Sequence, residues 1–383
     1  MSTVKESAGQ KVEAVGLGKY DEAMRAQAAP AFEYQWHDPR CAPMQIAGLA
    51  WFSREGLLRR LPAKPTHKLP EAVENLADQV PGAQIRFRSN TRLVAVRVKL
   101  RGVASNAAIP ATGQCGFDLY VGPAGDQRFM SVTKYDHTRS EYENLLFERM
   151  RLPPRRLDFA LNFPLGMAIE DVQVGLETGA RVEPPAPFAL ERPVVIYGTS
   201  ITHGACASRP GMAYPSILGR RLNVDVVNLG FGGSGKGEPE VARTIADIPR
   251  PACLVLDYEA NTSGLEHLRQ TLPAFIAILR AAHPTVPILV ATKIPSSHEN
   301  FNDTQPERLR CRDYQKNVVD DLRQRGDQHI HFLDVGALLG SDFAEGTVDG
   351  IHPTTLGFKL MADVFEPCLR ALLFPQKIAD GMP

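Results

Sequence analysis

The chain has 383 residues, more than one hydrophobic core usually organises, so two domains are expected. Its 43 basic and 43 acidic residues cancel without forming a basic run, which speaks against nucleic acid or an anionic membrane as partner. No apolar run approaches the roughly 20 residues that span a bilayer, and six singly scattered cysteines make neither a disulfide framework nor a zinc cluster.

Residues 1–32 read as a polar leader of mixed charge. They lack the apolar core of a secretory signal, so a cytoplasmic location is expected. Residues 33–188 then change character. Gln84 to Leu100 alternates apolar with polar residues around Ser-Asn-Thr, the pattern of a hairpin with one wet face. Gly116 to Gly122, Arg128 to Tyr135, Arg155 to Asn162 and Ala168 to Leu176 follow as short strands separated by Gly, Pro and Asn. This predicts an all-β sandwich or jelly roll. Trp36 and Trp51 precede these strands, as core residues or as a wall against the second domain. Arg181 to Pro193, rich in proline, reads as the domain linker.

From 189 to 383 the rhythm becomes strand then helix. Strands are predicted at 193–198, 224–228, 253–258, 286–292 and 328–334. Leu265, Leu268, Leu272, Phe275 and Leu279 recur at helical spacing, a polar helix covers about 307–325, and a last helix spans about 354–373. Such alternation means a parallel sheet with helices on both faces, a three-layer α/β/α arrangement.

In such a sheet the reactive groups gather beyond the carboxyl ends of the strands. The first strand, Val194 to Tyr197, stops at Gly198, Thr199 and Ser200, which makes Ser200 a candidate nucleophile. A serine here could equally serve as the N-cap of the next helix. The second strand ends in NLGFGGSGKG (Asn228 to Gly237), the third in LDYEAN (Leu256 to Asn261), and the last is followed by VDGIHPTTLGF (Val348 to Phe358). Asp349 and His352 stand three apart in a loop entering a helix. An aspartate so placed can hold Nδ1 of the histidine and leave Nε2 to take a proton from serine. The glycine-rich turn and the asparagine supply the donor types that hold an oxyanion. Cys206 falls within the helix start and is not expected to be a nucleophile. His203, Tyr258, Lys293 and His298 lie near strand ends and are candidate substrate contacts. His329 and His331 lack a carboxylate or thiolate partner, so no metal is expected. Asp118 reads as a structural carboxylate of the sandwich.

These blocks resemble the SGNH (GDSL-like) hydrolases: Ser200 in GTSITHG, Gly233 in NLGFGGSG, Asn261 after the third strand, and Asp349 with His352 in DGIHP. The usual GDS reads GTS and the usual GxND reads EAN. Both departures are shared by a two-domain branch whose N-terminal sandwich carries GxDLY, matched here by Gly116 to Tyr120. The resemblance implies the flavodoxin-like SGNH fold, a Ser200–His352–Asp349 triad, and an oxyanion hole from the Ser200 and Gly233 N–H groups and the Asn261 amide. It implies a small ester as substrate and no cofactor. Short acyl groups on a sugar or other polar alcohol are expected first, with an arylesterase or thioesterase as the alternative. Self-association into a homo-oligomer is left open.

Two rival readings compete. Gly230, Gly235 and Lys236 fit G-x-x-x-x-G-K, and Gly230, Gly232 and Gly235 fit G-x-G-x-x-G. Yet Gly237 stands where the magnesium-binding Ser or Thr belongs, and Glu238 and Glu240 would set negative charge beside a phosphate. Neither motif employs Ser200, Asp349 or His352. The other rival is a carbohydrate-binding sandwich on a degenerate hydrolase, against which the intact Ser, Gly, Asn, Asp and His set speaks.

Overall fold

A computed structural model describes residues 19–26, 32–301, 305–340 and 342–375, so most of the expected leader lies outside the described residues. The first half folds as two facing antiparallel sheets. One has the order Tyr34–His37, Ile169–Glu177, Leu93–Leu100, Glu141–Glu148. The other runs Val182–Glu183, Gln84–Ser89, Leu157–Asn162, Asp118–Val121, Arg128–Val132, with Gln45–Ala47 paired beside Gln84–Ser89. Alternate residues of both sheets, among them Ile85, Phe87, Val94, Val96, Phe159 and Val174, fill one core between them.

The expected hairpin over Gln84 to Leu100 does not form: its two strands belong to different sheets. Ile85 and Phe87 meet Val94 and Val96 across the core, not along an edge. The chain changes sheets at a corner where the Thr91 N–H donates to Ser89 Oγ (3.0 Å) and the Thr91 hydroxyl to the Leu93 carbonyl (2.6 Å). Both patterns alternate equally, so alternation alone does not reveal which neighbour a strand chooses.

The second half holds five parallel strands in the order Val226–Gly230, Val194–Gly198, Cys253–Asp257, Ile288–Ala291, Ile330–Leu333. Numbered along the chain this is 2-1-3-4-5, the flavodoxin-like order, with its topological switch between the first and third strands. The three central strands are buried on both faces, which explains their unbroken apolar runs. Helices Tyr214–Leu222 and Thr355–Leu373 cover one face, and Pro239–Ala246, Leu265–Ala282 and Gln305–Gln324 the other.

The core does not follow the chain boundary. Trp51, Leu61, Leu69, Val73 and Ala77 pack into the cluster that also holds Tyr197, Leu229, Phe231 and Tyr258 of the α/β half. Trp51 is thus a wall between the halves, whereas Trp36 lies on an outer face beneath the Arg97 guanidinium (4.1 Å). The expected linker is also tied down, since Arg86 donates to the Ala186 carbonyl (2.8 Å) and stacks on Phe188 (3.6 Å). Among the described residues no helix is long and apolar enough to cross a membrane.

Candidate active site

Gly198 ends the first strand because nothing larger fits: a Cβ there would overlap the Thr202 hydroxyl and the Asp257 carbonyl. The helix Ser200–His203 follows, and its N-cap is Thr199, whose hydroxyl accepts from the Ile201 N–H (3.2 Å). Ser200 is therefore not the cap. Its own hydroxyl is left to the site and stands 2.9 Å from His352 Nε2. On the far side of the ring, His352 Nδ1 lies 2.7 Å from Asp349 Oδ2.

The loop carrying Asp349 and His352 is closed by local bonds. Val348 N–H donates to the His352 carbonyl (2.8 Å), and Thr354 caps the following helix through the Gly357 N–H. Asp349 accepts from the Ile351 and His352 N–H groups at 3.0 and 2.8 Å. Partial burial alone would raise its pKa. The His352 backbone and ring bonds and the Ile351 N–H outweigh that and hold the carboxyl below its usual range. The carboxylate is thus charged, oriented and fixed to Nδ1, which leaves the Nε2 lone pair to accept from Ser200 Oγ.

The glycine-rich turn lies against this pair. Phe231 N–H donates to the Gly198 carbonyl (2.9 Å), and a Cβ built on Gly232 would sit 3.5 Å from Ser200 Cβ. Gly233, next in the chain, has φ +66°. Its N–H and that of Ser200 have no hydrogen-bond partner among the described residues. Asn261 hangs its amide on the same turn, Nδ2 donating to the Phe231 carbonyl (3.1 Å) and keeping a second hydrogen free. The turn makes a poor phosphate seat. Glu238 accepts from the Lys236 N–H (3.0 Å) and the Tyr197 hydroxyl (2.6 Å), so a carboxylate already occupies the entry to the next helix.

Above Ser200 opens a cavity of about 400 Å³ between the two halves. From the α/β half, Ser200, His203, Ala205, Cys206, Gly232, Asp349 and His352 line it. From the sandwich half come Leu76, Gln79, Asn106, Ala108, Ile109, Gln114 and Gly166. None of the latter was indicated by the sequence, because which loop faces Ser200 is decided by docking. Gly233 and Asn261 are not lining residues; Gly233 follows the lining residue Gly232, and Asn261 is bonded to the same turn at Phe231.

The four expected substrate contacts fare differently. His203 reaches the cavity, yet Nε2 is held by the Leu165 carbonyl (2.6 Å) and Nδ1 lies 3.3 Å from that of Gly230. Two carbonyls would suit a doubly protonated ring. Burial and the Arg60 cation nevertheless drive the pKa down to about 3, so the ring is neutral, and the shorter of the two contacts assigns its proton to Nε2. Tyr258 is a core residue, 2% exposed, stacked with Phe275 and bonded to Thr271. Leu256 and Tyr258 point to one face of the sheet while Asp257 points to the other, as strand alternation requires. Lys293 and His298 do not line the cavity. Lys293 serves through its N–H, which donates to Glu259 (2.8 Å). Cys206 does line it, but burial, reinforced by the Asp349 charge, pushes its thiol up to about 11, so it stays protonated.

Beneath the Ser200 helix, Asp257 Oδ2 accepts from the Thr202 and Tyr214 hydroxyls at 2.9 and 2.8 Å. Burial pushes this carboxyl from 3.8 up to about 7 even though both hydroxyls favour its charged form. The folded protein then holds a proton that the unfolded chain releases, so the contribution of Asp257 to stability is greatest below about pH 4 and is lost as pH rises toward 7. The span is on the order of 4 kcal/mol. Asp257→Asn is expected to flatten this part of the curve in urea unfolding measured across pH 4–8; a slope equal to wild type would contradict it.

Asp118 of GFDLY proves to be a tie between the halves. It is fully buried, with Oδ1 accepting from Asn162 (2.7 Å) and Oδ2 from Arg209 and the Gly211 N–H (both 2.9 Å). Its partners are therefore not confined to the sandwich. Removing one side of a buried, hydrogen-bonded ion pair leaves the other uncompensated. Asp118→Ala is expected to cost about 3 kcal/mol, read as a lower urea midpoint.

Residues 191–370 match the GDSL-like lipase/acylhydrolase family, and residues 34–182 match the GxDLY family, the N-terminus of SGNH-hydrolase-type esterases. A structure described as a GDSL-like lipase from Bacteroides ovatus is similar over 89% of this chain and 98% of its own, with 28% identity and a TM-score of 0.80. A salicylyl-acyltransferase from a tetracycline biosynthetic pathway covers the same shares at 21% identity and TM-score 0.68. A family two carbohydrate esterase from Cellvibrio japonicus does so at 13% and 0.58. At those identities the last two speak for the fold alone. Among curated proteins no sequence match is significant. With both halves matched in order and along nearly the whole chain, the protein belongs to the GDSL-like (SGNH) hydrolases of the two-domain, GxDLY-bearing branch and is a carboxylic ester hydrolase.

Proposed function

We propose that the protein removes short acyl groups, acetyl above all, from a carbohydrate or another small polar alcohol, through an acyl-enzyme intermediate. The observation that carries this reading is the continuous relay from Asp349 through His352 to Ser200 at the floor of a cavity. Ser200 Oγ attacks the ester carbonyl as its proton passes to His352 Nε2, while Asp349 steadies the imidazolium. The resulting oxyanion accepts from the Ser200 and Gly233 N–H groups and from the free hydrogen of the Asn261 amide. Collapse expels the alcohol, which takes the proton from His352 and leaves the acyl group on Ser200. Water, deprotonated by His352, attacks that acyl group; collapse returns a proton to Ser200 and frees the acid. Every step is an acid–base or acyl-transfer step within reach of these side chains.

The acyl preference is supported by small neighbours: Ala205, Cys206 and Gly232 line the cavity with the serine, and its volume is about 400 Å³, room for a short acyl group plus one ring. The two similar folds described as a carbohydrate esterase and an acyltransferase are compatible with acyl chemistry on polar alcohols. The test has two parts. A fluorophosphonate probe should label wild type and not Ser200→Ala. Initial rates on p-nitrophenyl esters of increasing chain length should be highest at acetate and should be accompanied by acetate release from acetylated sugars. Activity on the aryl esters without any on the sugars would favour the arylesterase alternative, and a preference for acyl thioesters the thioesterase.

A further inference from the structure

The wall facing Ser200 from the sandwich half has its own chemistry. Leu76, Ala108 and Ile109 give it an apolar patch, and Gln79, Asn106 and Gln114 an edge of neutral amides. No lysine or arginine lines the cavity among the described residues, and the one carboxylate there, Asp349, is engaged with His352. An anionic alcohol would meet no counter-ion, and a purely hydrocarbon one would strand the amides.

Gln114 is the fixed point of this wall. The residue is 6% exposed, and its Oε1 accepts from the Ser105 and Asn106 N–H groups at 3.0 and 3.3 Å. Two donors on one atom settle which end of the amide is oxygen. Nε2 has no partner among the described residues and is not among the sealed, unsatisfied atoms of the interior, so it is accessible, on a residue that lines the cavity. Gly166 backs it: its N–H donates to the Gln114 carbonyl (3.0 Å), and a Cβ there would come within 3.0 Å of Gln114 Cγ. The side chain is held at both ends while its two N–H bonds are left without a protein partner beside the substrate space. A donor without a partner in a nearly buried position implies a ligand acceptor.

We propose that Gln114 is a specificity-determining residue that donates from Nε2 to an oxygen of the alcohol portion of the ester, with Leu76 and Ile109 receiving that portion's C–H face. The substrate class is a neutral, ring-sized polyol ester, selected by the sandwich half and not by the catalytic half. This rests on the hydrolase reading above. The same donor would leave a hydroxyl-free analogue facing an unpaired amide, the arrangement by which polar sites discriminate.

The test compares two acetates of like shape, methyl 6-O-acetyl-glucopyranoside and cyclohexylmethyl acetate, as the ratio of their kcat/KM values on the full-length protein. Wild type should favour the sugar ester. Gln114→Met should lower the ratio about tenfold, the scale of one lost hydrogen bond plus its stranded partner. Gln114→Glu, which keeps Oε1 on its two N–H groups and replaces only the donor, should lower it at least about threefold. A wild-type ratio near one, or an unchanged ratio in either variant, overturns the proposal while leaving the hydrolase intact. Failure of wild type to cleave either ester, together with failure of the fluorophosphonate to label Ser200, would instead overturn the hydrolase reading itself.

Discussion

Ser200→Ala is expected to lose roughly a millionfold in turnover, the scale set by removing a serine nucleophile whose partners act as one unit. The argument is geometric. Among the described residues Ser200 Oγ hydrogen-bonds to His352 alone, so deleting it removes the attacking atom without breaking a hydrogen bond that supports the fold. Because Thr199 and not Ser200 caps the helix, Ser200→Ala should change stability by no more than about 0.5 kcal/mol, whereas Thr199→Ala should cost about 1 kcal/mol. The two measurements together separate a catalytic serine from a capping one. His352→Ala should be as damaging as Ser200→Ala, and the double variant no worse than either, since a broken relay cannot be broken twice. Asp349→Asn should retain more activity, with a loss of roughly 10²- to 10⁴-fold, because its role is to orient and steady the ring. Residual turnover by Ser200→Ala above about one per cent of wild type is incompatible with an acyl-enzyme on this residue.

Those three side chains were legible in the sequence for physical reasons: Ser200 follows a strand end, where a parallel sheet exposes its loops, and Asp349 and His352 stand three apart in the loop that enters the last helix. Strand ends can be read from apolar runs that stop at glycine. The same logic misassigned Tyr258, because proximity to a strand end does not say which face a side chain takes. Its parity with Leu256, already a core residue, does say so. The sheet crossing at Asn90–Arg92 was hidden because two alternating strands look alike whether they pair edge to edge or pack face to face. Gln114 and Arg60 were hidden for another reason. Both lie far from the catalytic blocks in sequence, and only the docking of the two halves brings them to the site.

Arg60→Ala should have the largest effect on the fold, with a catalytic consequence that separates positioning from mere support. Arg60 is 1% exposed and comes from the segment of the first half that enters the core of the second. Its Nη1 donates to the Gly230 carbonyl and its Nη2 to that of Leu76 (2.7 Å), while the guanidinium lies 4.4 Å above the Phe231 ring. Burial draws its pKa down to about 9, so it remains a cation at neutral pH, with two carbonyls and a ring face around it. Truncation would strip the guanidinium from the Gly230 carbonyl, leave the Leu76 carbonyl with the Gln79 N–H alone, and open a void beneath Phe231, together roughly 5 kcal/mol. Phe231 carries the carbonyl that holds the Asn261 amide and precedes Gly232 and Gly233, so what Arg60 steadies is the donor set itself. Arg60→Met, which fills the space but carries no donor, should therefore lower kcat about a hundredfold, the scale of one misplaced oxyanion donor, with KM changed little. Arg60→Lys, able to reach one carbonyl but not both, should fall between Met and wild type in both kcat and urea midpoint. A support that merely glued the halves together would lower the midpoint and leave kcat of the folded fraction untouched, so parallel loss of both across the series is what distinguishes a positioning residue from a structural one.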